Sequence, residues 1–218
     1  MINYWENIEN MIGKKDYKVI AIYGSPRRGG NTDVLMDRFL DGVSECENFK
    51  PDSSLKLSVD KIILSNLKIS PCRECRSCSS TGECIVKDDI QLIYPKLIEC
   101  DLLAVASPVF FTTVSGYLKA FIDRFQRFWA LKYELRRNII EKDNRKGILF
   151  CCAGSKSKDI FECSKKVMRS FFDVLYIKYY ADFLYNNIDF KGDILKNRKA
   201  INDVYKFGKN GTFLGEGE

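Results

Sequence analysis

Three short runs of this 218-residue chain are apolar almost without interruption: YKVIAIYGS (17–25), DLLAVASPVF (101–110) and KGILFCCAGS (146–155). A strand that is apolar at successive positions must be covered on both faces, which is the signature of parallel sheet rather than of a half-wet antiparallel one. Segments of helical period lie between these runs. TDVLMDRFLDGV (32–43) places Val34, Leu35, Phe39 and Val43 on one side, with Asn31 or Thr32 as the expected cap. VSGYLKAFIDRFQRF (114–128) does the same with Leu118, Phe121, Ile122 and Phe125. Further strands are expected at LSVDKIILSN (57–66) and KYYADFLYNNI (178–188), and further helices over residues 4–12, 88–100, 158–175 and 193–207. Pro95 should kink or shorten the helix at 88–100, and the tail from Gly208 is expected to be loose. Strand and helix alternate from end to end, so the reading is one doubly wound α/β domain over residues 1–218.

In such a sheet, ligands bind beyond the carboxyl ends of the strands. The loop after the first strand, GSPRRGGNT (24–32), opens a helix. Gly24, Gly29 and Gly30 let the main chain approach a ligand, and free N–H groups at a helix start favour an anion. Ser25 and Thr32 add hydroxyls, and Arg27 or Arg28 could add charge. The loop lacks the lysine of GxxxxGK[ST] and the spacing of GxGxxG, so a phosphomonoester such as that of FMN suits it better than a triphosphate or a dinucleotide. A glycine-rich turn without a ligand is the plain alternative.

The loop after the third strand, SPVFFTTVSG (107–116), offers an apolar and aromatic wall, Pro108, Val109, Phe110 and Phe111, then Thr112, Thr113 and Ser115. A flat ring with polar edges would fit against it, although two phenylalanines after a strand also suit a core. CAGSKSK (152–158), after the fourth strand, adds Ala153 and Gly154 as rim candidates.

PCRECRSCSSTGEC (71–84) sets Cys72, Cys75, Cys78 and Cys84 in C-x2-C-x2-C-x5-C spacing. The chain has nine cysteines and no histidine, so a mixed Cys/His zinc site is excluded. Successive C-x2-C steps suit a [4Fe–4S] cube, whereas structural zinc usually joins two separated C-x2-C knuckles. Zinc, or four reduced thiols that bind nothing, are the alternatives. Arg73 and Arg76 would place positive charge near a cluster. Cys46, Cys100, Cys151, Cys152 and Cys163 lie elsewhere on strands, helices and a loop, and most of them read as small hydrophobes of the core.

MINYWENIENMIGKKD carries Glu6, Glu9 and Asp16 and lacks the apolar stretch of a signal peptide, and no segment is long and apolar enough to span a membrane. With clustered, odd-numbered cysteines, this reads as a cytoplasmic protein with reduced thiols. The net charge of +6 comes from scattered lysines and arginines, so neither nucleic acid nor a membrane is an expected partner.

GSPRRGGNT, PCRECRSCSSTGECIVKDD and SPVFFTTVSGYLKAFIDRF, in this order and at these distances, resemble the iron–sulfur flavoproteins. These belong to the NADPH-dependent FMN reductase-like branch of the flavodoxin-like fold. The resemblance covers roughly residues 17 to 155. It implies a five-stranded parallel sheet of order 2-1-3-4-5 and FMN with its phosphate on Ser25, Arg27, Gly30, Asn31 and Thr32. Pro108 to Phe111 would stand beside the isoalloxazine, and Cys72, Cys75, Cys78 and Cys84 would hold a [4Fe–4S] cluster near the flavin. NAD(P)H or a ferredoxin would supply electrons, and a flavin, a quinone or an oxygen species would accept them. No side chain is expected to act as a catalytic acid or base. The family also implies a homodimer or homotetramer, for which the aromatic stretch 125–137 would suit an interface or, equally, a core helix end. Phe110 stands where tyrosine is common in this motif. A flavin reductase whose cysteines form a redox switch or a zinc site, and a non-catalytic electron carrier, remain the other readings.

Overall fold

A computed structural model describes residues 15–215; the helix expected at 4–12 lies outside them. Five parallel strands form one sheet: β1 (Lys15–Tyr23), β2 (Leu55–Ile63), β3 (Leu102–Pro108), β4 (Lys146–Cys152) and β5 (Lys178–Tyr185). Their order is β2-β1-β3-β4-β5, the flavodoxin-like arrangement, with Val19 opposite both Val59 and Leu102 in register. The order reverses between β1 and β3, so the two loops following these strands diverge and leave a crevice between them.

Burial follows position in the sheet. The inner strands β3 and β4 are buried at nearly every residue, whereas the edge strand β2 alternates. Successive side chains of the inner strands feed two cores. Ile20, Ile22, Leu103, Val105, Leu149 and Cys151 point into one; Val19, Ala21, Tyr23, Leu102, Ala104, Ile148 and Phe150 point into the other. The second core is covered by α1 (Asn31–Ser44), through Leu35, Met36, Phe39 and Val43, and by the last helix, Arg198–Asn210. The first is covered by residues of the helices at Tyr94–Glu99, Gly116–Asp123 and Glu162–Val174.

Several element ends differ from the sequence reading for local reasons. The expected helix 88–100 is a 3-10 turn at Asp89–Leu92 followed by Tyr94–Glu99, and Pro95 lies in the first turn, where its missing N–H costs nothing. It starts the helix instead of kinking it. The expected helix 114–128 stops at Asp123, restarts over Gln126–Trp129 and ends in a π turn at Ala130–Glu134. Of its aromatic residues, Phe125 and Phe128 are core, and Trp129 and Tyr133 are exposed. The tail is ordered by a 3-10 turn at Thr212–Leu214, which buries Phe213 against Phe39 and Tyr17.

Candidate functional site

The first cavity lies at the reversal of strand order and has a volume of about 110 Å³. Ser25, Arg27, Gly30, Asn31 and Thr32 line one side, Pro108, Val109 and Phe110 another, and Cys152, Gly154, Ile188, Asp189 and Lys191 the rest. The loops after β1, β3, β4 and β5 thus converge on one spot.

The β1 side is made mostly of main chain. β1 ends in Gly24, whose N–H bonds Ala106 O at 2.7 Å; the Ser25 hydroxyl accepts the Arg27 N–H at 3.1 Å. Gly30 is the residue before α1, with extended backbone (φ −76°, ψ 177°), and no side chain caps the helix. The sequence reading placed the cap at Asn31 or Thr32; the structure instead turns Asn31 away. Its amide donates to Phe190 O and its oxygen accepts from the Gly192 and Ile194 amides, tying the loop after β5 to the helix start. A Cβ on Gly30 would stand 3.1 Å from Arg27 O and 3.6 Å from the Ser25 hydroxyl, so a side chain there would fill the cradle. An uncapped helix start, a glycine-lined cradle and a buried serine hydroxyl are the donor set an anionic phosphate requires.

The two arginines of the loop separate. Arg28 pairs with buried Asp33 at 2.7 Å and lies over the Tyr23 ring. Arg27 makes no ion pair among the described residues and stays at the cavity. Burial pushes the Asp33 carboxyl above its usual range, against the pull of Arg28 and the Gly29 N–H. Lys191, which the sequence reading did not single out, joins Arg27 there and donates to Arg28 O at 3.0 Å. It sits in the short polar segment after the fifth strand, and the rule that ligands gather at the carboxyl ends of strands points to that segment as to the other three.

On the β3 side, Phe110 and Thr113 exchange both main-chain hydrogen bonds around a two-residue turn. Phe111 (φ 47°) and Thr112 (φ 65°) occupy the left-handed region there, which costs a side-chain-bearing residue about 1 kcal/mol or more each. This strained turn carries Phe111 fully into solvent, and Thr112 with it, so neither lines the cavity as the sequence reading expected. Ser115 is buried behind the wall: it caps the next helix, α4 (Gly116–Asp123, counting Ser77–Thr81 as α2 and Tyr94–Glu99 as α3), and its hydroxyl also donates to Gly24 O. Ala153 likewise supports the wall without lining it, and Gly154 does line it. Burial pushes the Cys152 thiol far above the ordinary range, so it is a neutral part of the wall.

The second cavity, of about 420 Å³, contains Cys72, Cys75, Cys78 and Cys84 together. All four are free thiols. Glu74 (φ 52°) and Arg76 (φ 56°), on either side of Cys75, and Gly82 (φ 75°) take left-handed backbone, which curls the loop around the cavity that all four cysteines line. Burial raises the Cys78 thiol, and the proximity of Cys84, Cys72 and Cys75 adds to the rise. Among the described residues no three metal-ligating groups converge closely enough for a single ion. The donor set nevertheless fits an iron–sulfur cluster, which takes soft thiolates and holds them farther apart than one ion does.

Arg73 and Arg76, the cations expected near the sulfurs, are exposed, and Arg76 pairs with Glu74. The cation that bonds a sulfur of this loop is Arg124, just past the end of α4, whose Nη2 is 3.4 Å from Cys84 Sγ. The sequence reading took it for part of a helix. The two cavities share no lining residue. Ser115, which caps α4, is buried behind the first, and Arg124, just past the end of α4, lines the second; at 1.5 Å per residue the eight residues of the helix span about 12 Å.

Comparison with known proteins agrees with this geometry. A family model described as NADPH-dependent FMN reductase matches residues 17–174. An iron-sulfur flavoprotein of Archaeoglobus fulgidus is 36% identical over 49% of this chain and 44% of its own length. One of Methanocaldococcus jannaschii is 34% identical over 56% of this chain and 58% of its own; the chain thus spans about half the length of these two relatives. One of Methanosarcina thermophila is 28% identical over 73% of each chain. Among solved structures, an NAD(P)H:quinone oxidoreductase from Methanothermobacter marburgensis superposes with a TM-score of 0.64 at 17% identity, covering 90% of this chain and 96% of that one, a likeness of fold. The chain belongs to the NADPH-dependent FMN reductase family.

Proposed function

We propose that this member of the NADPH-dependent FMN reductase family is an FMN-dependent oxidoreductase that also carries a [4Fe–4S] cluster on Cys72, Cys75, Cys78 and Cys84. The observation that carries the flavin half is the uncapped start of α1 at a cradle that only glycine leaves open. In this reading the amides at the helix start and the Ser25 hydroxyl bind the phosphate, and Arg27 and Lys191 balance its charge. Pro108, Val109 and Phe110 orient the ring and exclude water from one face. FMN held there would supply hydride acceptance from a nicotinamide and one- or two-electron donation to an acceptor. A bound cluster would supply a one-electron relay. No protein acid or base is required, in keeping with a chain that has no histidine.

The names of the relatives and the convergence of four thiols support the cluster. We read residues 1–218 as one domain, with the cysteine loop at 71–87 as an excursion from it. NAD(P)H is the proposed donor, with ferredoxin as a second candidate, and a small molecule such as a flavin, a quinone or an oxygen species is the acceptor. No helix of the described residues is long and apolar enough to cross a membrane. Reduced, clustered thiols support a cytoplasmic setting. Exposed Phe110, Phe111 and Phe190 near the cavity support a homodimer or homotetramer.

The test is one anaerobic absorption spectrum of purified protein, before and after NADPH or NADH, with iron and acid-labile sulfide assayed on the same sample. Flavin bands that bleach, with about four iron and four sulfide per chain, are expected. Protein that is colourless and takes up no added FMN overturns the flavin reading. A yellow protein without sulfide leaves a flavin reductase whose cysteines serve another end.

A further inference from the structure

Arg124 and Arg145 are the largest fully buried side chains of the described residues, and both are cations; Arg124 is the one at the cysteine loop. The Arg124 guanidinium reaches both shoulders of that loop. Nη1 donates to Ser70 O at 2.8 Å, two residues before Cys72, and to Asp88 Oδ2 at 2.5 Å, four residues after Cys84. Nη2 donates to Val86 O at 3.1 Å and points to Cys84 Sγ at 3.4 Å. Nε is buried with no hydrogen-bond partner among the described residues. Asp88 completes the closure by accepting the Ser70 N–H at 2.9 Å, and the Tyr94 hydroxyl holds the Arg124 carbonyl at 2.9 Å.

We infer that Arg124 is a positioning residue for the metal centre: it joins the two ends of the cysteine loop and raises the reduction potential of the cluster bound there. This rests on the reading of the loop as a cluster site. Two physical effects act in the same direction. A hydrogen bond to a ligating sulfur withdraws charge from it, and a cation close by stabilises the more negative, reduced state. Asp88 neutralises part of that charge, but the carboxylate binds Nη1 whereas the sulfur faces Nη2, so the donor to the sulfur remains. Arg73 and Arg76 lie in solvent, where salt screens them; Arg124 is shielded from water and is screened far less. The fixed fork of a guanidinium is needed because several acceptors in different directions are served at once, which an ammonium on a flexible stem cannot do.

The experiment is a redox titration of the holoprotein, following the cluster by EPR, on wild type, Arg124→Gln and Arg124→Lys, with iron, sulfide and flavin counted in each. For Arg124→Gln, which drops the charge, the reduced-to-oxidised ratio at a fixed potential should fall at least tenfold, 59 mV for a one-electron couple. For Arg124→Lys, which keeps the charge and loses the bond to sulfur, the fall should lie between twofold and tenfold. Flavin content should not change in either. A potential within twofold of wild type in a fully loaded Arg124→Lys protein overturns the inference, and it does so even if Arg124→Gln fails to fold. Loss of flavin together with iron in Arg124→Lys also overturns it, since the residue would then support the whole fold. Wild-type protein without iron and sulfide defeats the cluster reading itself, and this inference with it.

Discussion

The cradle after β1 and the cysteine loop after β2 both leave the carboxyl edge of the same sheet, and they are held in place by different means. The cradle belongs to the framework: Gly24 bonds Ala106 O in the neighbouring strand, and Ser115 ties the Gly24 carbonyl to the start of α4. Its shape is set by main-chain bonds together with the Ser25 and Ser115 hydroxyls. The cysteine loop has no strand to lean on. It is closed by side chains: Arg124 and Asp88 at its shoulders, and Arg127, whose Nε donates to Gly82 O at 2.8 Å while its Nη2 pairs with Glu83. Non-glycine left-handed residues at Glu74 and Arg76 store strain in it. A site built into the sheet binds by pre-formed shape; a site closed by side chains depends on a few charged contacts and on the group it encloses.

Substitutions in each site break the comparison if the two regions turn out to be coupled. The largest effect is expected for Cys75→Ala: iron and sulfide fall to near zero, while FMN stays at its wild-type ratio, because the cavities share no lining residue. Full iron in that variant rejects Cys75 as a ligand, and loss of both groups rejects the independence of the sites. Next comes Gly24→Ala. A Cβ there would stand 2.9 Å from Ala106 O and 3.1 Å from Leu118 Cβ, and main-chain oxygen cannot easily yield. Urea unfolding should show a loss of about 2 kcal/mol, with weaker FMN retention. Ser115→Ala removes the cap at the Leu118 N–H and the tie to Gly24, so about 1 kcal/mol is expected in the same measurement. An unchanged urea midpoint would mean that the tie does not support the cradle.

The same contrast decides what could be read from residues alone. The strands, the cradle and the four cysteines are local patterns, since each is written in consecutive letters, whereas the sheet order was implied only by the family resemblance. GSPRRGGNT announces its own turn chemistry, and the buried runs at β1, β3 and β4 announce a parallel sheet. Arg124, Asp88 and Lys191 were invisible because their roles depend on residues 18 to 163 positions away. In the sequence, Arg124 is indistinguishable from a solvated cation on an amphipathic helix, and only the break of that helix at Asp123 shows it turning inward. Asn31 was expected to cap α1, and the structure gives its side chain other partners for the same reason. Its amide is consumed by a segment near residue 190 that no local pattern joins to it. Phe111 and Thr112 misled in the opposite direction: their letters suit a wall, but the left-handed turn carries them out of the cavity.

Acidification gives the smallest effect and the sharpest contrast, because one carboxylate in each site responds with opposite sign. Burial opposes the ionisation of Asp88, but the bonds from Arg124 and the Ser70 N–H outweigh it and hold its carboxyl below the usual range. Its contribution to stability is therefore present above the unfolded value, near 3.9, and lost as the pH falls through the lowered folded value. Asp33 is raised by burial, so its charge is a cost at neutral pH, and protonation as the pH falls relieves it. Urea midpoints of the metal-free protein between pH 6 and pH 3 should thus fall less steeply in Asp88→Asn than in wild type, and more steeply in Asp33→Asn. Parallel curves for all three proteins would remove the electrostatic distinction between a clamp that needs its charge and a cradle that bears one.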